Sequence, residues 1–391
     1  MKKKAYKYRF YPTDEQTLLL ARTFGCVRFI YNRILKTRTD AYYQDGTSVN
    51  YSAASKLLTN LKKEAESTWL NDVAAVALQQ SLRHQQTAFI NFWAGRTKYP
   101  TFKKKNARQS FSLVGTAFCY RDGNIYIPKS NEPLNIRWSQ ALSCEPTTII
   151  LSKDAAGRYF VSCLCEVDIK PMPISAKQVG IDLGLTDLYI TSDGFKSGNP
   201  RHLKKYEAKL AHLQRMLSRK KKGSKNRNKM RLKVARLHAK IADCRMDATH
   251  KATRKLINEN QVVYVENLAV KNMMKLPTLA KHIADANWGE FVRQLHYKGD
   301  WAGRNIVEIS RWFPSTKRCS TEGCGFINES LTLKDRKWKC PKCHAKHDRD
   351  INAAINIKAV GQTVLASGAT GSGAKVAELF LSSEGVLSEE T

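Results

Sequence analysis

Val179-Gly-Ile-Asp-Leu-Gly184, Val262-Val-Tyr-Val-Glu-Asn-Leu268 and His347-Asp-Arg-Asp-Ile-Asn-Ala-Ala354 decide how this chain is read. The first two are short, apolar and rich in β-branched residues, the pattern of strands buried on both faces. Asp182 and Glu266 close those runs. Asp350 opens a run in which Ala353, Ala354 and Ile357 recur at helical spacing. A carboxylate at the end of a buried strand is costly unless a cation compensates its charge. Convergent carboxylates suit hard divalent ions such as Mg²⁺, which take oxygen ligands. Singly, Asp182 reads as a turn residue, Glu266 as a strand-end surface charge and Asp350 as a helix N-cap. Together, in matching contexts, they read as one metal-binding triad.

Cys319, Cys324, Cys340 and Cys343 have the spacing C-x4-C-x15-C-x2-C. That fits one tetrahedral Zn²⁺ closed by four thiolates, hence a structural metal. Cys340-Pro-Lys-Cys343-His344 also matches a c-type haem attachment pattern, but that reading leaves the first cysteine pair unused. His344 and His347 are spare candidates for a ligand position. The other six cysteines, Cys26, Cys119, Cys144, Cys163, Cys165 and Cys244, show no ligand spacing and read as free thiols.

The 391 residues carry a formal net charge of +32, with a hydrophobic content of 42%. Such a chain repels itself unless a polyanion neutralises it, so nucleic acid is the leading partner. No 18-residue apolar span stands out, which argues against a membrane. The basic N-terminus has no apolar run after it and is not a signal peptide; the location implied is the bacterial cytoplasm, at the nucleoid. Residues 201–260 hold 20 Lys or Arg against 4 acidic residues. Lys103, Lys104 and Lys105, and Arg219, Lys220, Lys221 and Lys222, are candidates for contacts to a nucleic-acid backbone. Aromatic residues among such charges, including Trp93, Tyr99 and Phe102, suit stacking on unpaired bases as well as core packing.

Along the chain, residues 4–11 alternate as a half-buried strand, and Thr13 with Gln16 forms a capping-box pattern. Helical periodicity then runs to about residue 100. From 111 to 170 the pattern is of strands, around Phe111, Gly123–Pro128, Thr147 and Tyr159. The predicted division is 1–12 with 101–170 as one sheet domain, 13–100 as a helical insertion, 175–314 with 346–360 as an α/β domain, 315–345 as the zinc module and 361–391 as a tail. Within the α/β domain a strand over Asp187–Ser192 with a turn at Asp193-Gly194, a basic helical hairpin over 201–260 and a helix through Phe291 and Leu295 are predicted.

The three acids resemble the arrangement of RNase H-like nucleases of the RuvC type, in which two metal ions hydrolyse a phosphodiester. The whole of 1–358 resembles the TnpB family of transposon-encoded RNA-guided nucleases, relatives of type V CRISPR effectors. The resemblance rests on Arg9-Phe-Tyr-Pro-Thr-x-x-Gln16, Gly180-Ile-Asp-Leu-Gly184, Glu266-Asn-Leu268, Trp288-Gly-Glu-Phe291, Cys324-Gly325 and His347-Asp-Arg-Asp-x-Asn-Ala-Ala-x-Asn-Ile357. It implies a multidomain α+β protein: a wedge-like β-barrel with an inserted helical recognition lobe, then a RuvC-like nuclease domain with an inserted four-cysteine zinc module. It further implies a monomer bound to one guide RNA from the element's end, and double-stranded target DNA beside a short adjacent motif, with two catalytic Mg²⁺ ions. Tyr51, Gln79 and Ser112 match positions that read the motif; Ala75 and Val76 depart from the family's residues, so the motif's sequence does not carry over. The first cysteine pair has four intervening residues where two are commoner. The alternatives are a DNA transposase, a nuclease-independent RNA-guided repressor and a zinc-ribbon regulator.

Overall fold

The computed structural model describes residues 2–332 and 334–368. Its contacts divide into two units. One holds the chain up to Asp168 together with Lys222–Arg236; the other holds Ile169–Lys221 and the described residues from Leu237 on.

The first unit begins with β1 (Lys2–Tyr11), then α1 (Asp14–Asp45), α2 (Tyr51–Leu61) and α3 (Ala75–Trp93). β2 (Gln109–Val114), β3 (Cys119–Arg121), β4 (Asn124–Tyr126), β5 (Asn135–Arg137), β6 (Thr148–Lys153) and β7 (Tyr159–Val167) follow. Five strands form an antiparallel sheet in the order β2-β6-β7-β1-β5, with no closing pair between its outer strands among the described residues. β1 pairs with β7 from Lys2↔Val167 to Phe10↔Tyr159, so the three helices are an insertion between two strands of one sheet. The basic-aromatic alternation of β1 explains its place: Tyr6, Tyr8 and Phe10 are buried, and Lys7 and Arg9 between them are not. Thr13 caps α1 with the reciprocal Thr13–Gln16 bonds of a capping box. Helices and sheet share one core, in which Phe24 of α1 meets Phe111 of β2 at a centroid distance of 5.3 Å.

The second unit runs β8 (Gln178–Asp182), β9 (Ile190–Thr191), α4 (His202–Ser218), α5 (Lys225–Glu259, of which the part up to Arg236 is grouped with the first unit), β10 (Val262–Glu266), α6 (Val270–Met273), α7 (Pro277–Ala286), α8 (Trp288–Ala302) and β11 (Asn305–Ile309). β12 (Lys337–Lys339) and β13 (Lys346–Asp348) make a small hairpin that leads into α9 (Arg349–Ala366). The sheet order is β11-β10-β8-β9, with β8, β10 and β11 parallel and β9 antiparallel. Val179, Ile181, Val263 and Val265 pack with Phe291 and Leu295 of α8. Val262, Tyr264, Val307 and Ile309 pack with Ile357, Val360 and Val364 of α9. The central strands are therefore covered on both faces, which is why they read as unbroken apolar runs.

Three expectations change. The strand expected over Asp187–Ser192 shrinks to Ile190–Thr191, because Asp187 turns back to accept a bond from the Gly198 amide at 3.0 Å. Helices α6 and α7 occupy a stretch for which no element was predicted. The tail expected from 361 does not begin there: α9 continues through Gly361 to Ala366 with Val364 buried. Gly361 is an interior helix residue, since a Cβ there would collide with the ring of Tyr264. The rest of the predicted tail, 369–391, lies outside the described residues.

Candidate active site

Strand register sets the first two acids side by side. β10 and β8 pair in parallel from Val262↔Gln178 to Val265↔Ile181, so Glu266 and Asp182 form the next rung. Neighbouring strands lie about 4.8 Å apart, and the period of two puts both side chains on the α9 face. Gly180 is on that face too, and a Cβ on it would collide with the Ala354 carbonyl oxygen, so α9 lies almost directly on β8. Asp350 precedes Ala354 by one helical turn, and Asp182 follows Gly180 by one strand repeat. The same contact thus delivers Asp350 over Asp182. The acids gather beyond the carboxyl ends of parallel strands, the usual crevice for ligands in an open α/β sheet.

The electrostatics agree. Burial pushes the Asp182 carboxyl up to about 7, and the nearby Asp350 charge adds to the rise against the opposing Arg349. Burial likewise lifts Glu266 to about 7, with Asp182 as the second cause. Two such carboxyls side by side ionise together only when positive charge arrives.

Asp348, not Asp350, caps α9: it accepts from the amides of Asp350 and Ile351 at 3.2 Å each and pairs with Lys196 at 2.7 Å. Asp350 is left for other partners. Arg336, in the loop before β12, lies 3.2 Å from its Oδ2 and donates to Thr186 Oγ1 at 3.3 Å. Buried Arg349 lies 3.1 Å from its Oδ1. Sequence reading missed both arginines, because a lone arginine has no spacing signal.

The four cysteines converge, their sulfurs all within 4.8 Å of one another. Cys319–Cys343 and Cys324–Cys340 are 3.6 and 3.7 Å apart. Tetrahedral Zn–S bonds of about 2.3 Å demand edges of about 3.8 Å, so the set fits zinc. His347 Nε2 lies 3.1 Å from Cys319 Sγ, beside the cluster as a second-layer partner of that sulfur. Among the described residues the three acids form no group as tight as this, Asp350 being drawn to its arginines. Asn352 and Asn356 of α9 both donate to the Arg318 carbonyl, at 2.7 and 2.6 Å, and Asn352 accepts from the Ser320 amide at 3.0 Å. They clamp the cysteine module to the helix that bears Asp350.

The other candidates fall on other stretches of the chain. Tyr51 opens α2 beneath the Arg83 guanidinium, 5.3 Å from its ring centroid, and Gln79 is exposed on α3. Ser112 is buried in β2, 3% exposed. Lys103, Lys104 and Lys105 are exposed, although the Lys103 ammonium also sits over the Tyr31 ring at 4.1 Å. Arg219, Lys220, Lys221 and Lys222 are exposed in the turn between α4 and α5.

Comparison with known proteins adds three family matches: "Probable transposase" over residues 161–276, "Cas12f1-like, TNB domain" over 288–357 and "Helix-turn-helix domain" over 1–47. A protein of Streptomyces pristinaespiralis named "Putative RNA-guided DNA endonuclease" is 50% identical over 95% of this chain and 92% of its own length. Escherichia coli K12 has a relative, "Putative RNA-guided DNA endonuclease InsQ", at 31% identity over 93% of this chain and 94% of its own. A solved Cas12f1–sgRNA–target DNA complex aligns at 16% identity with a TM-score of 0.36, covering 92% of this chain and 99% of that one, too slight a likeness to weigh. With half its residues shared along almost the full length of such a relative, and with "TnpB-like" proteins of a mimivirus also matching over 91% of the chain, this protein belongs to the TnpB family.

Proposed function

We propose that the protein is an RNA-guided DNA endonuclease of an insertion sequence, and that Asp182, Glu266 and Asp350 form its cutting centre. The second unit is then a RuvC-like nuclease domain carrying an inserted zinc module. The first unit, wedge and recognition lobe, grips the guide RNA and reads the adjacent motif through Tyr51 and Gln79. The observation that carries the reading is the convergence of three acids: burial first, and a neighbouring acid second, lift Asp182 and Glu266 to about 7, the neighbour being Asp350 for Asp182 and Asp182 for Glu266. Mg²⁺ ions bound there would activate water and stabilise the leaving oxygen of the phosphodiester. The chain's own part is to present oxygen ligands from a rigid sheet. Rearrangement of Asp350 away from Arg336 and Arg349 would turn its carboxylate toward the other two acids. Arg336, once released, remains at the rim, where its guanidinium suits a phosphate oxygen. The thiolates of Cys319, Cys324, Cys340 and Cys343 would hold one Zn²⁺ and fix the approach of β13 into α9.

Glu266→Ala is expected to abolish target cleavage while leaving RNA binding intact; cutting at the wild-type rate by that variant would remove the assignment. The "Probable transposase" match over 161–276 keeps one other reading in play, strand transfer by the same centre. Joined DNA ends in an RNA-free reaction with element-end DNA would favour it; cleavage that depends on the guide, with no joined product, favours the endonuclease.

A further inference from the structure

We propose that Lys196 and Asp348 are a positioning pair for the cutting centre: they pin the start of α9, and with it Asp350, to the sheet rung that carries Asp182. The proposal rests on the endonuclease reading. It adds two residues to that centre, neither of which holds metal or meets the reacting atoms.

The rung can be followed to the edge of the sheet. Asp182 pairs with Ile190 of β9, and Ile190 bridges Lys196, just past the Asp193-Gly194 turn. Residues directly opposite one another on antiparallel strands project to the same face. Lys196 therefore points to the face of Asp182, the one that α9 covers. The neighbouring residues agree, since they point the other way. Tyr189 lies 5.6 Å from the Phe291 ring of α8 and 5.9 Å from the Phe195 ring.

Asp348 receives the lysine. Its Oδ2 accepts from Lys196 Nζ at 2.7 Å, and its Oδ1 accepts from the amides of Asp350 and Ile351 at 3.2 Å each. One carboxylate thus ties the helix start to the rung of Asp182. Its backbone is held too, by pairing with Lys337 in the β12–β13 hairpin. Asp350 follows two residues later, on helical backbone, so its place depends on where Asp348 is held. Stability does not account for the pair. The two side chains are 39% and 24% exposed, and an ion pair so open to water contributes little. Nor does capping require a lysine, because asparagine caps a helix as well as aspartate does. What a cation on this rung adds is a fixed relation between the first acid and the third.

The test uses the full chain with its guide RNA and a saturating, matching DNA target. Lys196→Met keeps the stem and loses the charge, whereas Lys196→Arg keeps the charge. Lys196→Met should melt and bind target as the wild type does. It should cleave about tenfold more slowly and need about tenfold more Mg²⁺ for half its maximal rate, the scale on which residues that orient a metal ligand act. Lys196→Arg should recover most of both. Asp348→Asn, which keeps the cap, should show the same loss, and the double variant no more than either single one, because the two act as a unit. In the full chain without metal or nucleic acid, hydrogen exchange at the amides of Asp350 and Ile351 should quicken in Lys196→Met but not in Lys196→Arg. Wild-type rate and Mg²⁺ need in Lys196→Met, an equal loss in Lys196→Arg, or unchanged exchange would overturn the proposal. Glu266→Ala serves as reference: if it still cuts, the nuclease centre itself is misassigned, whereas a dead Glu266→Ala beside a fully active Lys196→Met removes the positioning pair alone.

Discussion

Asp182 and Glu266 are placed at a cost to the fold. Each carboxyl, raised to about 7, keeps its proton in the folded chain over a range where the unfolded chain has lost it. Their ordinary values are about 3.9 and 4.3, so between about pH 4 and 7 the folded state binds more protons than the unfolded one. Stability from this source is therefore present below about pH 4 and is lost as pH rises through about 7. In metal-free protein, Asp182→Asn should remove part of that loss and melt above the wild type at pH 8, with little difference near pH 4, while cleaving nothing. Scanning calorimetry across pH with a chelator present checks the sign; a variant less stable than wild type at pH 8 would contradict it. The motif Asp350-x-Asn-Ala-Ala-x-Asn356 also resolves residue by residue. One acid faces the crevice, two asparagines clamp the cysteine module, and Ala354 lets the helix meet Gly180. The sequence displayed the motif but not this division of labour, because the asparagines' partners are backbone carbonyls and an amide far along the chain.

Among the elements, contact between α9 and the sheet is the most constrained. Gly180 and Gly361 face the Ala354 carbonyl and the Tyr264 ring, with no room for a methyl group at either place. Gly361→Ala should cost about 1–3 kcal/mol, the usual penalty of overpacking a core, although alanine is the better helix former. Chemical denaturation measures it, and a stabilised Gly361→Ala would show that the helix can move away. The same residue shows why the end of α9 was hidden: in sequence a glycine after an apolar helical run reads as a terminator, and only Tyr264, on a distant strand, explains it as interior. Strands β8 and β10 were plain because burial on both faces leaves unbroken apolar runs. α7 was not, since it starts after Leu276 without a side-chain cap and buries only Ile283 and Ala286. Zinc belongs to this scale as well. The module's buried set is small, Cys319, Trp338 and Cys340 with four partly buried neighbours among its hydrophobic residues. Cys340→Ser, or prolonged chelation, should therefore lower the melting temperature and weaken cleavage through the clamp to α9. A zinc-free protein with unchanged melting would refute that dependence.

For the molecule as a whole, the charge of +32 is the dominant fact. It made nucleic acid the expected partner from composition alone, and the exposed lysines of 103–105 and 220–222 agree. Guide binding should weaken steeply with salt, with a log–log slope of several units, because each neutralised phosphate releases a counterion. A nearly flat salt dependence would mean that those charges are spent elsewhere. The change of hydrophobic period near residue 170 falls at one boundary between the two units, but the return of Lys222–Arg236 to the first unit was not legible, because that stretch continues a helical pattern without a break.

The third acid rides on the last helix described, and that order matters while the protein is being made. Synthesis proceeds from the amino end, and domains fold as their parts emerge. β8, β10 and β11 leave the ribosome well before α9, so for a time Val262, Tyr264, Val307 and Ile309 lack the cover that α9 gives them. A nascent chain at that stage is a client for chaperones and has only two of its three acids. On the proposed reading, a half-made protein has no cutting centre, and nuclease activity begins only once translation has passed the cysteine module and released the helix that completes it.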